Sequence, residues 1–120
     1  MEKIFEEDIK SICPNLYSDP KVYLNVGNGW AKIIASLSEN IEAYILGMVE
    51  DNRKSFYAVQ IKQKFGGMRF YMNKQDEFIY KLINAAEKLT EQTCEFCGKP
   101  GSIKLSKHNW LRCTCEECYV

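Results

Sequence analysis

Five of the six cysteines of this 120-residue chain fall in its last quarter, as Cys94-Glu-Phe-Cys97-Gly98-Lys-Pro-Gly101 and Cys113-Thr-Cys115-Glu-Glu-Cys118. Taken as Cys94, Cys97, Cys115 and Cys118, they form two Cys-x2-Cys knuckles separated by 17 residues, the spacing of a four-thiolate tetrahedral metal site. Each knuckle brings two sulfurs to one ion because the chain turns between them. Gly98 supplies the backbone freedom needed just after a second ligand. Two disulfides are the competing reading, but in a chain expected to stay where thiols are reduced, metal ligation is favoured. Sulfur ligands suit iron as well as zinc, and zinc is read here from availability and the ribbon-like context. With all four positions filled by protein, one such ion contributes folding energy and has no open position for substrate.

Sixteen basic and sixteen acidic residues cancel, so no global field draws the chain to nucleic acid or to an anionic membrane. The opening Met1-Glu-Lys-Ile-Phe-Glu-Glu-Asp is acidic and unlike a signal peptide, and no apolar run is long enough to cross a bilayer. The expectation is a cytosolic protein with Cys13 as a small buried side chain. The neutral total hides a division: residues 1–53 carry nine acids and five bases, whereas residues 54–75 carry five bases and no acid.

Periodicity orders the rest. Ile4, Phe5, Ile9, Ile12 and Cys13 form a helical stripe ended by Pro14, with Glu6, Glu7, Asp8 and Lys10 facing solvent. Val22, Leu24 and Val26 alternate as a short strand before a Gly27-Asn28-Gly29 turn. From Trp30 to about Glu50, Trp30, Ile33, Ile34, Leu37, Ile41, Ile45 and Met48 line one side of a central core helix, with Asn28 as its cap. Two alternating runs then flank Gly66-Gly67, the pattern of a two-residue hairpin turn. In that register Phe65 faces Met68, Ile61 faces Met72, Lys64 faces Arg69 and Lys62 faces Tyr71. A further helix carries Phe78, Ile79, Leu82, Ile83, Ala86 and Leu89, with Asn73 and Asp76 forming a capping box. Ser102 to Leu105 and Trp110 to Arg112 read as the strands of a ribbon joined by Ser106-Lys-His-Asn109. The fold expected is α+β: a helix, β-hairpin and helix core over residues 1–93, and a zinc ribbon over residues 94–120 packed on it as one compact domain.

His108, the only histidine, falls in a polar turn and reads as a solvated residue rather than a ligand. Cys113 competes with Cys115 through a Cys-x4-Cys spacing, but the tighter knuckle is preferred and Cys113 reads as a packed or free thiol. No nucleophile and base, phosphate-binding loop or metalloprotease motif is present, which points away from an enzyme. Lys62, Lys64, Arg69 and Tyr71 are the binding candidates. Acidic helices, within the molecule or across a dimer, offer one way to neutralise them. An anionic partner offers the other: an acidic protein surface, or nucleic acid held by its phosphates with Tyr71 stacking and with Lys104, Lys107 and Arg112 contributing.

Gly29-Trp30, Lys64-Phe-Gly66 with Arg69-Phe-Tyr71, Cys94-Glu-x-Cys97-Gly98, Gly101, Trp110 and Cys115-x-x-Cys118 resemble a group of small uncharacterised bacteriophage and prophage proteins, over residues 29–118. Their Lys-Phe-Gly-x-Leu-Arg-Phe-Tyr motif has Met68 here in place of leucine, a mild change at a core position. The segment before the hairpin is shorter here than in many of those proteins, and Cys113-Thr114 replaces a threonine-leucine-like pair. The resemblance implies a phage or prophage origin and four cysteine ligands, and it carries no activity. By analogy with phage accessory proteins, the expected partner is a bacterial host protein in the host cytosol, with nucleic acid as the alternative.

Overall fold

The computed structural model of the protein describes residues 1–119. Helix α1 (Lys3–Ile12) runs into a loop that delivers β1 (Leu24–Asn25). A 3-10 turn over Asn28–Trp30 then opens α2 (Ala31–Leu46), followed by a single helical turn, α3 (Glu50–Arg53). The hairpin strands β2 (Ala58–Lys64) and β3 (Gly67–Met72) come next, then α4 (Glu77–Thr90) and the ribbon strands β4 (Ser102–Leu105) and β5 (Leu111–Thr114). The molecule is a mixed α+β structure in which helices pack against two short sheets. One sheet has three strands in the order β1-β2-β3, and the other pairs β4 with β5.

The core forms where the α2 stripe meets the inner face of the larger sheet. Trp30, Ile34, Ile41 and Ile45 are fully buried, as are Ile61 and Met68 of the hairpin and Ile79 of α4. Trp30 is a core residue, as its place on the stripe implied, and its indole N–H donates to the Thr93 carbonyl at 2.8 Å. Val22, Leu24 and Val26 are buried in alternation with exposed Tyr23 and Asn25, as a strand requires, although the ladder itself spans two residues. It runs parallel to β2, with Leu24 beside Ile61.

Several local expectations are corrected. The hairpin turn is Phe65-Gly66, with φ 55° and 90°, rather than Gly66-Gly67. Lys64 therefore faces Gly67, Lys62 faces Arg69 and Gln60 faces Tyr71. The slide along the partner strand is an even number of residues, so the side chains from Gln60 to Tyr71 keep their faces, whereas a β-bulge between Ala58 and Gln60 turns Ala58 into the core and leaves Val59 exposed. The two glycines serve different needs. A Cβ on Gly66 would lie 2.7 Å from Ile103 Cγ2, and one on Gly67 would press on Glu91 Cγ at 3.2 Å.

On α1 only Ile9 and Cys13 of the expected stripe are buried, and Ile4, Phe5 and Ile12 are exposed. Burial, with Glu42 and Glu39 adding repulsion, pushes the Cys13 thiol up to about 12, so it stays a neutral core side chain. On α4 Phe78 and Leu89 are exposed, Phe78 stacking on Tyr44 with ring centroids 4.4 Å apart. Asp76 alone caps α4, accepting from Ile79 N–H at 2.9 Å. Asn73 instead crosses to Ser55 and Tyr57. Asn28 does not cap α2 either, and its Oδ1 accepts from the Glu2 backbone at 2.7 Å.

The acids of the first two helices are not all solvated, because several complete the backbone. Buried Glu42 accepts from Leu16 N–H at 2.8 Å and from Asn15 Nδ2 at 2.7 Å, closing the loop after α1. Glu6 accepts from Leu24 N–H and Lys10 donates to the Val22 carbonyl, so α1 side chains satisfy the outer edge of β1. On the opposite edge, Thr90 Oγ1 accepts from Met68 N–H at 3.0 Å and Glu87 from Phe70 N–H at 2.9 Å. Side-chain partners of this kind keep a sheet edge from pairing with another chain.

Candidate metal centre

The first knuckle is shaped by its own backbone. Cys94 N–H donates to the Lys99 carbonyl at 2.8 Å and Gly98 N–H to the Cys94 carbonyl at 3.0 Å. Closing that turn takes Gly98 to φ 81°, a conformation glycine adopts without a steric penalty. The second knuckle follows β5 directly, so the β4–β5 hairpin carries Cys115 and Cys118 back to Cys94 and Cys97. One ligand atom from each of the four lies within 4.8 Å of all the others. A tetrahedral zinc with bonds of about 2.3 Å holds its sulfurs roughly 3.8 Å apart, and Cys97 Sγ and Cys115 Sγ are already 3.6 Å apart.

The donor chemistry fits a cation. Burial raises the Cys94 thiol, but backbone N–H groups of Cys115, Cys97 and Phe96 directed at its sulfur outweigh this and hold it down at about 6. Cys118, hydrogen-bonded to the thiols of Cys115 and Cys97, is pushed up to about 12. Those N–H groups favour the thiolate form of Cys94, and four thiolates this close need a positive ion among them. Cys113 takes no part. It is buried on β5, and its Sγ donates to the Glu91 carbonyl at 3.3 Å. His108 is exposed in the β4–β5 turn, where its backbone N–H donates to Ser106 Oγ.

No family model, curated protein or solved structure matches this chain.

The knuckle is clamped to the body by residues whose role has no motif. Gly29 N–H donates to the Glu95 carbonyl at 2.7 Å, and Gly27 N–H to the Glu95 carboxylate at 3.0 Å. A Cβ on Gly29 would stand 2.1 Å from the Cys94 carbonyl oxygen, so only glycine permits this approach. Glu95, almost fully buried, also receives Arg112 at 3.1 Å, and the guanidinium lies over the Phe96 ring. Gln63 Nε2 donates to the Leu111 carbonyl at 2.6 Å, joining the two hairpins. Gly-Asn-Gly was legible as a turn, but its partner is far along the chain and leaves no local signal.

The basic candidates divide into two groups. Arg112 pairs with Glu95, Lys104 pairs with Glu116 at 3.6 Å, and Lys107 lies over the Tyr119 ring. Lys62 and Arg69 face each other on the outer side of the larger sheet, next to Gln60 and Tyr71. Among the described residues, Lys62, Lys64 and Arg69 form no ion pair. Arg69 Nη1 turns to the Met68 carbonyl at 2.9 Å, and Lys64 lies over the Phe65 ring.

Proposed function

We propose that this is a non-enzymatic binding domain in which Cys94, Cys97, Cys115 and Cys118 hold one structural zinc ion, and that Lys62, Lys64, Arg69 and Tyr71 meet an acidic face of another protein. The observation that carries this reading is the Lys62–Arg69 pair. Like charges directly across a ladder cost up to about 1 kcal/mol, and no carboxylate of the described chain pairs with either. An anion brought by a partner relieves the repulsion on binding. The phage-like motifs are the ground for a further part of the proposal: a phage or prophage accessory protein acting on a bacterial protein in the host cytosol. No helix of the described chain is long and apolar enough to cross a membrane, which accords with that setting without specifying it.

Nucleic acid is the second reading, favoured by Tyr71 beside unpaired cations on an open sheet face. Its wider footprint is weakened because Lys104 and Arg112 are already paired within the ribbon. A fluorescein-labelled random oligonucleotide, titrated at low salt, separates the two. The protein-partner reading expects no binding. Binding that weakens steeply as salt rises, and disappears in the Lys64→Glu/Arg69→Glu variant, would transfer the function to nucleic acid.

A further inference from the structure

We infer that the tip of the β2–β3 hairpin and the adjoining face of the ribbon form the apolar centre of this docking surface, with Phe65 as its anchor in an apolar cleft of the partner protein rimmed by carboxylates. The inference rests on the protein-partner reading and adds where the partner is gripped and by what chemistry.

Phe65 lies at φ 55°, in the left-handed region, at a turn position that favours asparagine or glycine. A bulky side chain there is strained. Burial does not offset the strain, because 67% of the residue is exposed. A strained residue holding an aromatic ring in solvent points to a use outside the fold.

Its surroundings extend the surface. The next residue, Gly66, lies directly against the Ile103 side chain. Ile103 shares a face of the ribbon with Leu105 and Leu111, which stand directly opposite each other. Leu105 and Leu111 are 54% and 41% exposed. Large apolar side chains are therefore concentrated where the two hairpins meet, in the setting where interface anchors cluster.

Charge decides the occupant. Lys64, whose ammonium lies over the Phe65 ring, has no ion-pair partner among the described residues. Lys62 and Arg69 add positive charge on the adjoining outer face of the hairpin, so a complementary surface carries acids beside an apolar cleft. A second copy docked through the same patch would bring these cations together. Phosphates and bases make little use of Ile103, Leu105 and Leu111, whereas an apolar protein cleft does.

The test selects a display library of random dodecamer peptides on the immobilised, zinc-loaded full chain. Peptides combining an aromatic or aliphatic residue with Asp or Glu are expected, and Phe65→Asn should weaken them by at least about tenfold. The same variant should melt about 4 °C higher than the wild type, because asparagine suits the turn. Leu111→Ser, which leaves the turn intact, should weaken the same peptides. Peptides that bind Phe65→Asn as tightly as wild type would overturn the inference and leave the protein-partner reading standing. No acidic-apolar peptide recovered would overturn it too, and oligonucleotide binding in place of peptides would remove both. A lower melting temperature for Phe65→Asn would make the ring structural and end the argument.

Discussion

Gly27 and Gly29 link the metal centre to the body, because their missing side chains let the Cys94-Glu95 backbone come within hydrogen-bonding distance. Gly29→Ala forces that contact apart at a point where the three nearest atoms, from Cys94, Glu95 and Gly98, are all backbone. The expected cost is about 3 kcal/mol or more, read as a lower urea midpoint of the metal-loaded protein with the slope unchanged. An unchanged midpoint would mean the knuckle moves freely and the clamp has no energetic weight. Trp30, one residue later, was readable as core because its neighbours repeat at helical spacing. The glycines were not readable as a clamp, because what they touch is Glu95, 68 positions from Gly27.

An even slide in register leaves the faces of the hairpin in place, but the pairing determines which charges oppose each other. With Lys62 across from Arg69, the sheet carries a like-charge contact that Lys62→Glu would convert to an attractive one. That substitution should stabilise the isolated protein by about 0.5–1 kcal/mol in chemical denaturation. It should also abolish capture of an acidic partner. A loss of stability instead would show that the cation pair is already screened by its surroundings. The alternating pattern made the two strands legible. The turn position did not follow from it, because Gly66-Gly67 satisfies the positive-φ rule better than Phe65-Gly66 does. In the observed register Gly66 and Gly67 lie close to Ile103 and Glu91, both far along the chain. Similarly, Glu6 and Lys10 read as solvent-facing, yet they bond the backbone of Leu24 and Val22, as Glu87 and Thr90 bond that of Phe70 and Met68.

In the whole molecule the two sheets are joined where Gln63 Nε2 donates to the Leu111 carbonyl. The ribbon that carries Leu111 has few buried side chains of its own, and its two Cys-x2-Cys turns bring four thiols together. Stripping the ion with a strong chelator should lower the melting temperature by more than about 10 °C, and one equivalent of zinc should restore it. Elemental analysis of the purified protein should find one transition-metal ion per chain. A chelator-treated sample that melts unchanged would remove the metal from the account. The cysteine spacing marked the four thiols that the fold brings together and the central helix stripe marked the core, because both are local periodicities written along the chain. The neighbours of Gly29, the hairpin register, the pairing of Arg112 with Glu95 and, among the described residues, the lack of an ion pair at Lys62 and Arg69 came only with the tertiary structure. Each is a contact, or the lack of one, between segments far apart in sequence, where periodicity carries no information.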